Sequence, residues 1–176
     1  PQKNVQLIHC TKKLQKEMGL SSSGLTNEEP ENSFLGSWHA NLISIDRRKC
    51  VLFANDKTLF NFLIPDVTRA QLREMDKLFL LFLSCVLSDE GFEQKVKDKI
   101  LEEYREIGYA NTNNRNVLGS MNDLAYHYKY HILDEGGLYS AAVPDIIRRL
   151  NRMPMSAIGY KYSIDAIRQF YGIADK

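Results

Sequence analysis

Arg115, Ser120, Asn122 and Asp123 fall in one short stretch, NNRNVLGSMNDLAYHYKYH. An arginine offers a planar fork that can hold a phosphate or carboxylate through two parallel bonds. Gly119 lets a ligand come close to the backbone. Ser120 and Asn122 at a helix entry would sit where unpaired amides and the helix dipole favour an anion. Asp123 is the carboxylate of the group, suited to a general base or metal ligand, with Arg115 and Lys12 as charge stabilisers. The structural alternative is local: Ser120 and Asn122 cap the helix and Arg115 pairs with Asp123 or a carbonyl. No Gly-Lys-Ser/Thr follows, so the GS pair is not a phosphate-binding P-loop.

His127 and His131 follow at i, i+4, one turn beyond Asp123. That spacing can turn three metal ligands to one helical face, with His9 or His39 completing a site. No glutamate follows the first histidine, so the zinc-protease pattern is missing, and Tyr126, Tyr128 and Tyr130 make the same helix an aromatic packing surface. We expect no metal here. Lys12-Lys13, Arg47-Arg48-Lys49 and Arg148, Arg149 and Arg152 are short basic clusters. On one side of the fold they would bind phosphate or nucleic acid; otherwise they are solvated. There is no GxSxG nucleophile motif. Cys10, Cys50 and Cys85 all lie in apolar company and read as buried, reduced thiols.

The elements that must position these residues begin with a strand at Val5–Cys10. A helix capped by Thr11 and stopped by Gly19 follows. Residues 21–33, rich in Ser, Asn and Glu, read as a mobile surface loop. Trp38–Ile45, Cys50–Ala54 and Thr58–Ile64 read as three strands of an antiparallel meander, with the first strand as a possible fourth. Trp38, Ala40, Leu42 and Ser44 fall on one face and His39, Asn41, Ile43 and Ile45 on the other. From Asp66 the spacing predicts helices, capped by Asp66 or Thr68 and broken at Gly91, then Phe92–Ile107, ended by Gly108. Residues 111–116 read as a loop before a central helix over Val117–Leu133, terminated by Gly136-Gly137. A helix from about Ser140 carries Pro144 near its start, and Ser163 caps a last one through Phe170. The expected fold is α+β, a small antiparallel sheet of three or four strands packed with about five helices, as a single domain over residues 1–176.

Hydrophobic residues make up 44% and charged residues 26% of the 176, ordinary for a globular chain. The formal net charge of +1 gives no global pull toward nucleic acid or membrane. Leu78–Leu87, the most apolar run, is short of the ~20 residues a membrane span needs. No secretory leader precedes Val5. A cytoplasmic protein is expected.

Five segments in order carry a resemblance: IHCTKKL, LGSWHANL, DRRKCVLFANDKTLF, NRNVLGSMNDLAYH and PMSAIGYKYS. Together they resemble an uncharacterised bacterial domain-of-unknown-function family. The resemblance covers nearly the whole chain and implies a stand-alone cytosolic protein. It places Thr11, Lys12, Lys13 and Leu14, Gly36, Trp38, Ala40 and Asn41, Leu52, Phe53, Asn55 and Thr58, and Asn114, Arg115, Leu118 to Asn122 on the family pattern. That pattern has apolar residues where His127 and His131 stand, which weakens the metal reading. It implies no activity and no cofactor, but the polar positions on its motifs make Lys12, Asn41, Asn55, Arg115, Ser120 and Asn122 the expected ligand-binding set. The function expected is a ligand-binding or interaction module with an anion-friendly site at the start of the central helix. The alternatives are a hydrolase or nuclease acting on a phosphate-containing substrate, and a partner-binding accessory protein without a small-molecule site.

Overall fold

The computed structural model describes residues 4–174. Its first strand, β1 (Gln6–Cys10), is buried along its whole length. Thr11 then caps α1 (Lys12–Met18), and Gly19 ends it in the left-handed conformation. After a surface segment come β2 (Trp38–Ile45), β3 (Arg48–Asn55) and β4 (Asn61–Ile64). Asp46 and Arg47, both at positive φ, make the tight turn between β2 and β3, so β3 starts at Arg48 rather than Cys50. The capping box of Thr68 opens the short α2 (Arg69–Leu72), and α3 (Met75–Asp89) and α4 (Gln94–Glu103) follow.

The sheet departs from the expected meander. β5 (Ile107–Asn111) is a fifth strand, and the order is β4-β3-β2-β1-β5. β2, β3 and β4 pair antiparallel as expected, while β1 pairs parallel to both β2 and β5. The sheet is therefore mixed. Ile107 continues the helical stripe of Ile100 and Tyr104 in sequence, yet it is a strand residue opposite Gln6. Tertiary pairing overrides the local period there.

After β5, Asn114 caps α5 (Arg115–Asp134), which starts two residues before Val117. α6 (Val143–Leu150) has Pro144 in its first turn. A small hairpin of β6 (Pro154–Met155) and β7 (Lys161–Tyr162) leads into α7 (Ser163–Phe170). Ser163 does not cap α7; it is the first helical residue, buried, with its hydroxyl unpaired. Seven α-helices are thus present among the described residues.

Both faces of the sheet are covered, which is why β2 and β3 are buried on both sides. On one face Trp38 packs edge-on against Phe62 (5.7 Å), Phe79 (5.3 Å) and Tyr104 (6.4 Å). Each such pair adds about 0.5–1.5 kcal/mol beyond area burial. α1 lies on this side with α2 and α3. α5 and α6 cover the opposite face, where buried Tyr128 donates its hydroxyl proton to Asn61 Oδ1 at 2.7 Å. Asn151, at the end of α6, accepts from Asn61 N (2.9 Å) and donates to Asn61 O (2.8 Å).

The surface segment is tied at several points. Thr26 N donates to Tyr109 O, and the carboxylate of Glu103 accepts from the amides of Phe34, Leu35 and Gly36 at 3.1, 2.9 and 2.8 Å. Cys10 and Cys50 are buried as expected, whereas Cys85 is exposed on the outer side of α3, because its neighbours Val86 and Leu87 take the inward positions. Among the described residues no helix is long and apolar enough to cross a membrane.

Candidate functional site

β1 and β5 are adjacent and parallel, and the helices that follow them leave for opposite faces of the sheet. Such a divergence opens a crevice beyond the carboxyl ends of the strands, the usual place for a ligand in sheets with parallel strands. The neck of α5, residues 111–116, occupies that end of the sheet, bonded to His9, His39, Lys12 and Gln15.

On the strand side of the neck the polar side chains bind one another. His9 and His39 stack at 4.7 Å with their planes 18° apart. His9 Nδ1 lies 2.7 Å from the carbonyl oxygen of Asn111, which can only accept, so Nδ1 carries the proton. His39 Nδ1 meets Asp56 Oδ1 at 2.7 Å, and its Nε2 accepts from the Asn113 amide at 3.4 Å. The side-chain oxygen of Asn111 accepts from Lys12 Nζ and Gln15 Nε2, both at 2.9 Å. Thr11 donates to Asn41 Oδ1 at 2.9 Å.

The flank of α5 is the opposite case. Arg115, Asn116, Gly119, Ser120 and Asp123 share one side of its first turns and face Ser156 and Ala157 across an open recess of about 510 Å³. The helix starts at Arg115, so Ser120 and Asp123 lie beyond the first turn, and the amides of Asn116, Val117 and Leu118 are already used. Asn114 Oδ1 accepts from Asn116 N (3.0 Å) and Val117 N (3.1 Å). The recess therefore offers side chains rather than free helix amides. Arg115 and Asp123 are exposed and form no ion pair with each other, so the local pairing weighed above does not occur. A Cβ built on Gly119 meets nothing within 4 Å, which leaves the floor of the recess open.

The expected set thus divides. Arg115, Ser120 and Asp123 line one recess. Lys12 and Asn41 belong to the network at the strand ends. Asn55 belongs to neither: fully buried, it accepts from Lys57 N, Thr58 N and Thr58 Oγ1 and donates to Leu35 O and Ser37 O, so its amide is consumed in joining its own loop to the segment before β2. Asn122 is exposed and outside the recess. His127 and His131 stack at 6.5 Å, but no group of three His, Cys, Asp or Glu side chains could hold a metal ion among the described residues.

Several residues of the basic clusters are already paired with carboxylates. Arg152 makes a two-point contact with buried Glu90 (3.0 and 2.7 Å), Arg149 meets Glu135 (3.3 Å), Arg148 meets Asp145, and Arg168 approaches Asp165 (4.0 Å). Lys49 is paired with Glu17 (2.7 Å).

The family model described as a domain of unknown function, DUF6933, matches residues 7–166. The chain belongs to this family. The match takes in β1 through most of α7, and with them both the network and the recess. No curated protein matches the chain. Family membership brings no activity with it, and the chemistry must come from the residues themselves.

The residues that sequence reasoning left out are Asp56, Gln15, Asn111 and Asn113. His9 and His39 enter the sequence reading as possible metal ligands and not as a stacked pair. Their positions opposite each other on β1 and β2 depend on the parallel register, Ile8 beside Trp38 and His9 beside His39. That register has no local sequence mark.

Proposed function

We propose that this protein is a ligand-binding module that takes a small phosphate- or carboxylate-bearing molecule in the recess beside the first turns of α5. The observation that carries the reading is Arg115 itself, an arginine without a carboxylate partner that lines a recess together with Ser120 and Asp123. Arg148, Arg149, Arg152 and Arg168 each face a carboxylate, while Arg115 points into the recess with no ion pair or hydrogen bond among the described residues. Its fork is free to take an anion in two-point fashion. Ser120 adds a hydroxyl, and Asp123 accepts from a hydroxyl or amino group elsewhere on the ligand. The neck network, with Lys12 anchored on Asn111, holds the helix start in place.

Asp123 in the same recess favours a second reading, a hydrolase or nuclease acting on a phosphate-containing substrate, with Asp123 as base. In that case Asp123→Asn abolishes turnover without lowering stability; unchanged turnover rules the enzyme out. Two free, buried cysteines support a reducing, cytoplasmic setting in a bacterial host. A continuous core from Ile8 to Ile167 supports a single domain.

Thermal denaturation with inorganic phosphate, pyrophosphate and small carboxylates tests the main reading. A ligand at a hundredfold excess over Kd adds about 2.7 kcal/mol, roughly 5–10 °C for a chain of this size. The rise is expected in the wild type and absent in Arg115→Ala. An equal rise in the variant places the ligand elsewhere.

A further inference from the structure

The two stacked histidines hold the neck of α5 by opposite means. His9 gives a proton to the Asn111 carbonyl; His39 takes one from the Asn113 amide. The second contact exists in one protonation state only. Asp56 fixes the proton of neutral His39 on Nδ1, which leaves a lone pair on Nε2 aimed at the Asn113 N–H. We infer that His39 is a protonation-operated latch on the β5–α5 loop, closed in the neutral imidazole and released when Nε2 gains a proton.

The reasoning is geometric. A protonated Nε2 presents N–H to N–H, so the Asn113 contact turns from a bond into a clash of donors. The cation is also brought face to face with the ring of His9 at 4.7 Å. Asp56 keeps its bond to Nδ1 in both states, so the ring is held and the loop is the part that yields. His39 is fully buried and Asp56 partly so, which keeps water from replacing the lost acceptor at no cost. The charged or titratable groups around the pair are few. Asp56 comes from the turn after β3, and His9 from β1. Lys12 reaches the loop through Asn111 from α1, and Arg115 begins α5 on the loop's far side. Among the described residues no carboxylate other than Asp56 bonds either ring.

Release would loosen residues 112–114, and Arg115 is the next residue. Acidification therefore unsettles the recess from its neck. The latch itself does not depend on the recess binding anything, and its test contains no ligand.

The test is an NMR titration of the wild type from pH 8 downward. The His39 ring protons and the Asn113 amide are followed together. The expected result is a single shared midpoint. The Asn113 amide proton shifts upfield, and its exchange protection, corrected for intrinsic pH dependence, falls roughly tenfold, the scale of one lost hydrogen bond. His39→Gln supplies an acceptor that cannot titrate, so the Asn113 amide should no longer respond to pH. The inference is overturned if the Asn113 amide is indifferent while His39 titrates. It is overturned equally if His39 stays neutral until the whole chain unfolds, or if the amide in His39→Gln responds as in the wild type. Should that variant not fold, the coincidence of the two wild-type midpoints decides.

Discussion

Gly119 is a helical glycine whose Cβ position faces open space in the recess. Alanine there removes the entropy penalty of glycine within a helix, worth about 0.5–1 kcal/mol, and narrows the floor on which a ligand would rest. Gly119→Ala is expected to raise Tm and at the same time shrink the stabilisation produced by phosphate. A raised Tm with undiminished stabilisation means that the recess is not where the ligand sits. The cysteines give a second residue-scale test. Burial pushes the Cys10 thiol up to about 12 and raises that of Cys50, whereas Cys85 is exposed. A thiol reagent at neutral pH should modify Cys85 promptly and reach Cys10 and Cys50 only on unfolding, because the thiolate is the reactive form. Prompt modification of all three contradicts the packing described. Arg115, Ser120 and Asp123 could be grouped from sequence because their convergence is a property of one helix. The histidine pair could not, because it depends on how two separate strands align.

At the scale of elements, Glu103 at the end of α4 gathers three successive amides of the segment before β2. Bonds to a charged acceptor contribute about 1.5–3 kcal/mol. Glu103→Ala is expected to lower the unfolding free energy by that order, read as a lower urea midpoint with little change in m, and Glu103→Gln by less. Loss of the same size in both variants would show that the charge is not what matters. Gly137 makes a similar junction after α5, at φ +102, with a Cβ that would stand 2.7 Å from Asp46 Oδ2. The β2–β3 turn thereby seats the end of α5, whose Gly136-Gly137 stop is readable in sequence. The helix start was harder to place. Asn111, Asn113, Asn114 and Asn116 are chemically equivalent cap candidates, and only the bonds of Asn114 to the amides two and three residues on single it out. β5 escaped notice for a related reason: Ile107 extends the helical period of α4, and nothing local reveals that Gln6 waits beside it.

Across the whole molecule, burial of phenols on both sides of the sheet ties stability to alkaline pH. Burial raises Tyr104 and Tyr128 well above the ordinary tyrosine range and raises Tyr109 and Tyr171 as well. These groups stay neutral in the fold and ionise in the unfolded chain near pH 10. Their stabilising contribution is complete below about pH 10 and is lost as pH climbs above it. Absorbance of phenolate should therefore rise in two stages, exposed tyrosines first and these four together with unfolding. A single reversible stage for all nine tyrosines would contradict this. The antiparallel half of the sheet, the two-faced pattern of β2 and the α+β class were readable from periodicity. The parallel placement of β1 between β2 and β5 was not, since it is set by packing across the chain, and it is this placement that sets His9 beside His39 at the neck of α5.

The most direct measurement of the recess is a phosphate titration followed by amide and arginine side-chain NMR on the wild-type chain. The expected result is a saturable shift centred on Gly119, Ser120, Asp123 and the Arg115 Nε–H, with little change along α6 and α7. Shifts that gather instead around Arg148, Arg149 and Arg152, or none at concentrations that saturate ordinary phosphate sites, would contradict the assignment of Arg115 as the anion anchor.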